Sequence, residues 1–583
     1  MATLSFYEGV NPSAGISGDL PTQFIEEERL NRIKHSAWHF PIRAILSCLQ
    51  TSAVELGDLE AIIYPWDSPM YSDGRLSRFY ADLNRQYGSD SETLQWQQAN
   101  ISRFDPGSVK ERLRRELLRE AGIELPSNLR FAYVPHHVAH AFSAVAGIEQ
   151  ARALVLAIDG SGETLCTSVW LWEHPELRLI WSRPIPHSLG WFYAAITELV
   201  GFDAYDGEYK VMGLAGLGTP SQSVVKSMQM VLHPGDDGIS YFLDRSYIHA
   251  GAHSFSTRFT DKLPSLLGVT PRARRARMED AYIDVAAAAQ AAVERILVNI
   301  CKHFVSRYRP EIVCLTGGVA MNVKANGAVL TETGAPAIWV PPYPNDSGTP
   351  LGAMAAYCAA TGRLMPDLRN VFLGPYYDDG VIEKQLITAG IPYSRPHDVL
   401  QETAKRLASG NVVAWFHGRS EAGQRALGAR SILGDPRSPA VAARVNNVVK
   451  RRERWRPLCP VILEEQCTRY LVDARVSPHM MVAANATAEA SAEIPAVIHA
   501  DGSIRAQMLR PDDNPEFSQL VSCFKELTGI GALINTSMNR AGQPMVETAL
   551  EALELFGSTA IDVMVLGPFL VEKNGNGHSL DLS

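Results

Sequence analysis

The residues best equipped for chemistry are gathered in Pro135-His136-His137-Val138-Ala139-His140-Ala141. Proline suits the first turn of a helix, where its missing N–H costs nothing. His136 and His140 then stand four apart on one helix face, with ring nitrogens able to converge on one ion, while His137 points elsewhere. A strand ending in Asp159-Gly160-Ser161-Gly162-Glu163 follows, and Tyr343-Pro344-Asn345-Asp346-Ser347-Gly348-Thr349 places Asp346 before an apolar helix. Two imidazoles with one or two carboxylates form a mixed nitrogen and oxygen set suited to a divalent ion such as iron, manganese or zinc. Taken singly, each aspartate is more commonly a helix cap or turn residue.

Other features point to phosphate. A carboxylate beside a glycine-rich turn leaves backbone amides available to an anion. Thr316-Gly317-Gly318-Val319-Ala320-Met321-Asn322 is a glycine pair that leaves a strand and opens a helix. Backbone amides there can approach a nucleotide closely, with Asn322 as a polar contact. Its position between two carboxylate-bearing strand ends gives this turn its weight. Farther on, the stretch from Gly418 to Arg456 concentrates arginine among glycine and proline.

These groups must be carried by an α/β architecture, because short apolar strands alternate with helical stretches along the chain. Strands are expected at Ala61–Tyr64, Leu154–Ile158, Ile312–Leu315 and Val412–Trp415. Ligands in such sheets sit beyond the strand ends. Asp280 is expected to cap a long helix from Ala281 to about Phe304, rich in alanine. The cluster Arg272, Arg274, Arg275 and Arg277 before it reads as a solvated loop, with anion contact as the alternative. A domain boundary is expected in Leu364–Asp379, a surface loop at Ala483–Ala492, and a frayed tail from Lys573 to Ser583.

Composition bounds the function. The chain has 583 residues, 46% apolar and 20% charged, enough for a sizeable core and unlike a disordered or disulfide-stapled protein. Its net charge of −9, from 63 acidic against 54 basic residues, argues against a dedicated nucleic-acid binder. It still permits a local basic pocket for a small phosphate. No apolar run approaches the ~18 residues of a membrane span, and the start lacks the pattern of a secretory signal. The eight cysteines are scattered without a Cys-x-x-Cys pair, as expected for buried thiols in a cytoplasmic protein.

Taken together, the motifs resemble those of the nodulation-protein and antibiotic O-carbamoyltransferase family. The resemblance rests on the histidine segment, Glu208-Tyr209-Lys210-Val211-Met212-Gly213 and Gly317-Gly318-Val319-Ala320-Met321-Asn322. It continues through Glu421, Gly423, Arg425-Ala426-Leu427-Gly428, Asp435-Pro436-Arg437, Val449-Lys450, Arg456, Arg505 and Asn535-Thr536-Ser537. Near the start, Glu26-Glu27-Glu28-Arg29 and Lys34-His35 fit as well. The resemblance implies an N-terminal actin-like, Kae1-related ATPase fold, itself duplicated, over residues 1–370. A YrdC-like α/β domain over residues 371–583 is implied after it. The second domain is expected to form carbamoyl adenylate from carbamoyl phosphate and ATP. The first is expected to pass the carbamoyl group to a hydroxyl, or an amine, of a small-molecule natural product. Iron(II) is the implied metal, held by His136, His140, Asp159 and Asp346. Arg425, Lys450, Arg456 and Arg505 are the implied catalytic and carbamoyl-phosphate-binding cations, with Asn535 addressing the carbamoyl group. Lys34 is implied to neutralise a further phosphate, and Asp159, Gly317, Gly318, Asn322 and Asp346 to line the nucleotide. A homodimer is a family-level expectation.

The chain departs from the family in one place. Family members carry a histidine in a glycine-rich N-terminal hairpin, a candidate general base, where this chain reads Tyr7-Glu8-Gly9-Val10-Asn11-Pro12. Neither Val10 nor Asn11 accepts a proton near neutral pH. The acceptor then needs no such base, or His35, His137 or the metal replaces it. The alternatives are slow transfer, transfer to an amine, or a catalytically silent nucleotide- and metal-binding scaffold.

Overall fold

Buried strands build the first sheet of the protein, here described from a computed structural model over residues 2–249, 257–452, 456, 458–475 and 478–573. Ala2–Tyr7, buried throughout, pairs antiparallel with Ser13–Gly18 in a hairpin. On its other side it pairs in parallel with Leu59–Tyr64, which in turn pairs in parallel with Arg130–Tyr133. The same plan then recurs. Arg152–Ile158 pairs antiparallel with Leu165–Glu173, followed by Glu176–Pro184, and in parallel with Ile312–Thr316 and then Ile338–Trp339. A hairpin with later parallel strands added to its first member, made twice, is the internal duplication of an actin-like domain.

The chain folds as two compact units, residues 1–22 with 37–369, and residues 23–36 with 370–583. The expected boundary near residue 370 assigns 23–36 to the first unit, whereas the segment groups with the second, where Arg29 donates to the Glu421 and Gly423 carbonyls. The second unit is built on a seven-stranded mixed sheet. Its strand order is Gln507–Leu509, Cys459–Leu463, Ala532–Ser537, Arg430–Gly434, Val413–Phe416, Val563–Leu566 and Phe569–Glu572.

The four expected strands form, and all eight cysteines are free and buried. No helix among the described residues is long and apolar enough to cross a membrane. Three local expectations change. The long helix runs Asp280–Tyr308 with Glu279 at its N-cap, so Asp280 is its first helical residue rather than its cap. Arg272 is buried, not solvated: its Nε donates to the Val200 carbonyl at 2.6 Å and Nη1 to that of Ala276 at 2.5 Å, closing the loop on itself. Within Ala483–Ala492 lie a short strand, Ala484–Asn485, and the start of a helix, Ala488–Glu493, because Thr487 caps the Ala490 amide. The expected frayed tail lies outside the described residues from position 574 onward.

Candidate metal centre and anion site

Helix His136–Val145 begins with the first histidine, so His136 and His140 share a face one turn apart. Helix Thr349–Ala360 packs backbone-close against it. A Cβ at Gly352 would lie 1.8 Å from the Ala139 carbonyl oxygen, so glycine is required for this approach. That packing brings Asp346, just ahead of the second helix, to the histidines. Asp159 arrives from the sheet. Thr316 pairs with Ala157 in parallel register, so the two strands end side by side and their loops converge. Gly317 turns sharply there with φ +87°, its Cα facing the Ile158 carbonyl.

Four side chains meet as a result. His136 Nε2 lies 3.1 Å from His140 Nε2, 3.2 Å from Asp159 Oδ2 and 3.5 Å from Asp346 Oδ1. His140 Nε2 is 3.4 Å from each of the same carboxylate oxygens. The candidate ligand atoms all lie within 4.8 Å of one another.

The hydrogen bonds behind the rings test whether this set fits a cation. His136 Nδ1 faces the Pro65 carbonyl at 3.3 Å, and a carbonyl only accepts, so Nδ1 carries a hydrogen. Thr316 Oγ1 donates to the Pro344 carbonyl, leaving it to accept from His140 Nδ1 at 3.5 Å. Both imidazoles therefore turn a bare Nε2 toward two carboxylate oxygens. Four acceptors aimed at one point demand positive charge. Without a metal, a proton supplies it: burial opposes a charged His136, but hydrogen bonds and charge from Asp159 and Asp346 hold it up to about 10. Burial likewise opposes the Asp159 carboxylate, and the two histidines hold it well below its ordinary range. The donor set fits a divalent first-row ion and contains nothing that selects iron.

A second layer fixes the carboxylates. The Gly318 amide donates to Asp159 Oδ1 at 3.1 Å, and the Tyr7 hydroxyl donates to Asp346 Oδ2. Burial raises the Tyr7 phenol well above its usual range, with the Asp346 charge adding to the effect, so it remains a donor. Glu163 Oε1 accepts the amides of His136 at 3.0 Å and Asp67 at 2.8 Å, satisfying the helix start. Trp66 stacks on His136 with centroids 4.3 Å apart. Sequence reasoning missed Tyr7, Trp66 and Glu163 as site residues. Glu163 had a signal, at the end of the glycine-rich turn, and Trp66 lies just beyond the end of an expected strand.

His137 does point away. Trp170 Nε1 donates to Ser168 Oγ, which also pairs with His137 Nδ1 at 2.7 Å. Burial, with the charges of His136 and His140, presses this imidazole down to about 3. An imidazole pressed that low, with Nδ1 tied to Ser168, is poorly suited to replace the missing base. Asn322 caps helix Val323–Glu332 by accepting the Ala325 amide, and it exchanges two hydrogen bonds with Gln290. Lys210 pairs with Asp206 one turn earlier at 3.2 Å, a local ion pair.

In the second unit the expected cations form two groups joined by strand Ala532–Ser537. Lys450 is buried, and its Nζ donates to Ser537 O at 2.6 Å, Ser537 Oγ at 3.1 Å and Asn539 Oδ1 at 2.5 Å. Burial drives its pKa far down, and among the described residues Arg452, Arg456 and Lys34 add like charge to the effect. The second group surrounds Asn535, which pairs across the ladder with Cys459. Its Nδ2 donates to the Ala426 carbonyl at 3.1 Å, next to Arg425, and to Gln507 Oε1 at 2.8 Å. Asn535 Oδ1 is buried with no hydrogen-bond partner among the described residues. Arg505 directs Nε and Nη2 at Cys459 Sγ, 2.9 and 2.7 Å away.

Known proteins share these sequence features. Residues 16–355 match a family model described as the carbamoyltransferase N-terminus, and residues 404–573 match one described as the carbamoyltransferase C-terminus. The chain is 32% identical to nodulation protein NolNO of Sinorhizobium fredii, over 94% of this chain and 77% of that protein. It is 34% identical to nodulation protein NolO of Bradyrhizobium diazoefficiens, over 75% and 78% respectively. An uncharacterized protein of Synechocystis, sll1178, is 31% identical over 98% of this chain and 96% of its own length. Among solved structures, HypF of T. kodakarensis superposes with a TM-score of 0.33 at 12% identity, over 63% of this chain and 49% of that one.

Proposed function

The chain belongs to the carbamoyltransferase family, and on that premise we propose that it joins the carbamoyl group of carbamoyl phosphate to the α-phosphate of ATP, then transfers it to a hydroxyl or amine of a small molecule. The observation that carries this reading is the burial of Lys450, whose charge is opposed by that burial and by the charges of Arg452, Arg456 and Lys34. Like charges gathered at one buried point are stabilised by a polyanion, and the ligand's phosphates are one.

The chemistry divides by unit. In the YrdC-like second unit, water releases phosphate from carbamoyl phosphate and leaves carbamate. A carbamate oxygen attacks the α-phosphorus of ATP, pyrophosphate departs, and carbamoyl adenylate forms. Arg425, Lys450, Arg456 and Arg505 hold the phosphate oxygens, and Lys34 neutralises a further one. Asn535 Oδ1, buried and unpartnered, suits the carbamoyl NH₂, which an acetyl group would not offer. In the Kae1-like first unit, the turns at Asp159, Gly317, Gly318 and Asp346 receive the nucleotide end, and Asn322 shapes the helix that opens there. His136, His140, Asp159 and Asp346 would hold a divalent ion, whose contribution when bound is to stabilise negative charge on adenylate phosphate. The acceptor oxygen or nitrogen attacks the carbamoyl carbon, its proton leaves, and AMP departs.

The test is pyrophosphate release from ATP with and without carbamoyl phosphate. Release that requires carbamoyl phosphate, and is lost in Lys450→Ala and Arg456→Ala while metal stays bound, supports the reading. If His136→Ala abolishes release and the arginine variants spare it, the division of labour between the units is wrong.

A further inference from the structure

Residues 23–36 form a strap that groups with the second unit. Within this strap Arg29 is almost wholly buried, and its Nη2 donates to the backbone carbonyls of Glu421 at 2.8 Å and Gly423 at 2.9 Å. Its other nitrogens face Glu547 Oε2 at 3.5 Å and Glu26 Oε2 at 3.9 Å. Glu26 Oε1 in turn accepts the Gly423 amide at 2.6 Å. From inside the loop, Glu421 Oε1 accepts the amides of Leu427 at 2.8 Å and of Ala429 and Arg430 at 3.3 Å. The loop that carries Arg425 is thus gripped at its start by the strap and closed across its end by its own carboxylate.

Resting on the proposed role of Arg425, we infer that Arg29 is a positioning residue for carbamoyl-phosphate recognition, setting the 421–430 loop so that Arg425 is placed before the ligand arrives. Burying a guanidinium among carboxylates offers little net stability over apolar packing, so a specificity role accounts for it better than a stability role. The forked donor also explains the residue type. Nη2 alone donates to both carbonyls while Nη1 and Nε stay within ion-pair range of Glu547 and Glu26, a spread of nitrogens over one planar group that a lysine ammonium lacks. Arg32, also on the strap, donates to the carbonyls of Met545 at 2.7 Å, Pro544 at 3.1 Å and Arg29 at 3.2 Å, none of them in the 421–430 loop.

The experiment uses the full chain and two readouts, amide exchange at Gly423 and Leu427 and the KM values for carbamoyl phosphate and ATP. Arg29→Lys should speed exchange at both amides and raise the carbamoyl-phosphate KM on the order of 10- to 100-fold, with the ATP KM unchanged. Arg32→Ala should do neither. In an Arg425→Ala background, Arg29→Lys should add nothing further, and additive losses would overturn the inference. So would unchanged exchange in Arg29→Lys. Should that variant not fold, the wild-type protein decides: both amides must be protected without ligand, and protection gained only on adding carbamoyl phosphate contradicts a preset loop. If Arg425→Ala leaves the carbamoyl-phosphate KM intact, the proposed function of Arg425 fails instead, and exchange still reports whether Arg29 grips the loop.

Discussion

Loading the four-ligand cluster with a divalent ion must expel a proton. In the metal-free protein His136 is held up to about 10 by Asp159 and Asp346, despite a burial that opposes its charge. At pH 7.5 that proton sits about 2.5 units below its release point, so removing it costs ~3 kcal/mol. An ion such as manganese must overcome this cost, and its apparent affinity should climb ~10-fold per pH unit between about 7 and 9. Calorimetric titration in two buffers of different ionisation enthalpy measures the proton directly, and about one should be released per ion at pH 7.5. The same linkage appears in stability. The folded value of His136 lies above its unfolded 6.5, so its contribution is full below pH 6.5 and is lost as pH rises through about 10. Asp159 is shifted the other way, so its contribution is present above its unfolded value of 3.8 and falls away as the medium becomes more acidic. Metal-free protein should therefore lose stability progressively above pH 6.5, and metal-loaded protein should not. An affinity flat with pH, with no buffer-dependent heat, would refute the assignment of four acceptors converging on one cation.

Three further outcomes follow from the geometry. Tyr7→Phe removes the donor to Asp346 Oδ2 and should weaken metal binding on the order of 10- to 100-fold in a chelator competition, with the melting temperature little changed. Gly352→Ala places a Cβ 1.8 Å from the Ala139 carbonyl, so the two helices must part; a loss of ~1–3 kcal/mol in denaturant unfolding, with loss of metal, is expected. Lys450→Met should abolish phosphate-induced stabilisation, which for the wild type at a hundredfold excess over Kd is worth ~2.7 kcal/mol. A variant stabilised by phosphate as strongly as wild type would remove Lys450 from the anion site.

The histidine pair was legible because helical spacing alone puts positions four apart on one face. Asp159 and Asp346 were legible as loop residues after strands, and their convergence was implied by family motifs. What spacing did not carry was the second layer. Tyr7 reaches Asp346 across 339 positions of sequence, a contact that only the finished sheet makes. The strap was hidden for a related reason. In the sequence Glu26-Glu27-Glu28-Arg29 stands only as a family motif, and it takes the buried carbonyls of Glu421 and Gly423 to show that Arg29 is turned inward. Arg272 misled in the same way, since an arginine among arginines looks solvated until its carbonyl partners are seen. Asn322 was read as open to a nucleotide, but a long-range partner, Gln290, takes up its amide.

The central claim is that this chain activates a carbamoyl group as its adenylate. Mass spectrometry of the products formed from ATP and carbamoyl phosphate, quenched without any acceptor, tests it most directly. Carbamoyl adenylate together with pyrophosphate is the expected result, both absent in Lys450→Ala. Consumption of carbamoyl phosphate with ATP left whole, or ATP cleaved only to ADP, would contradict it.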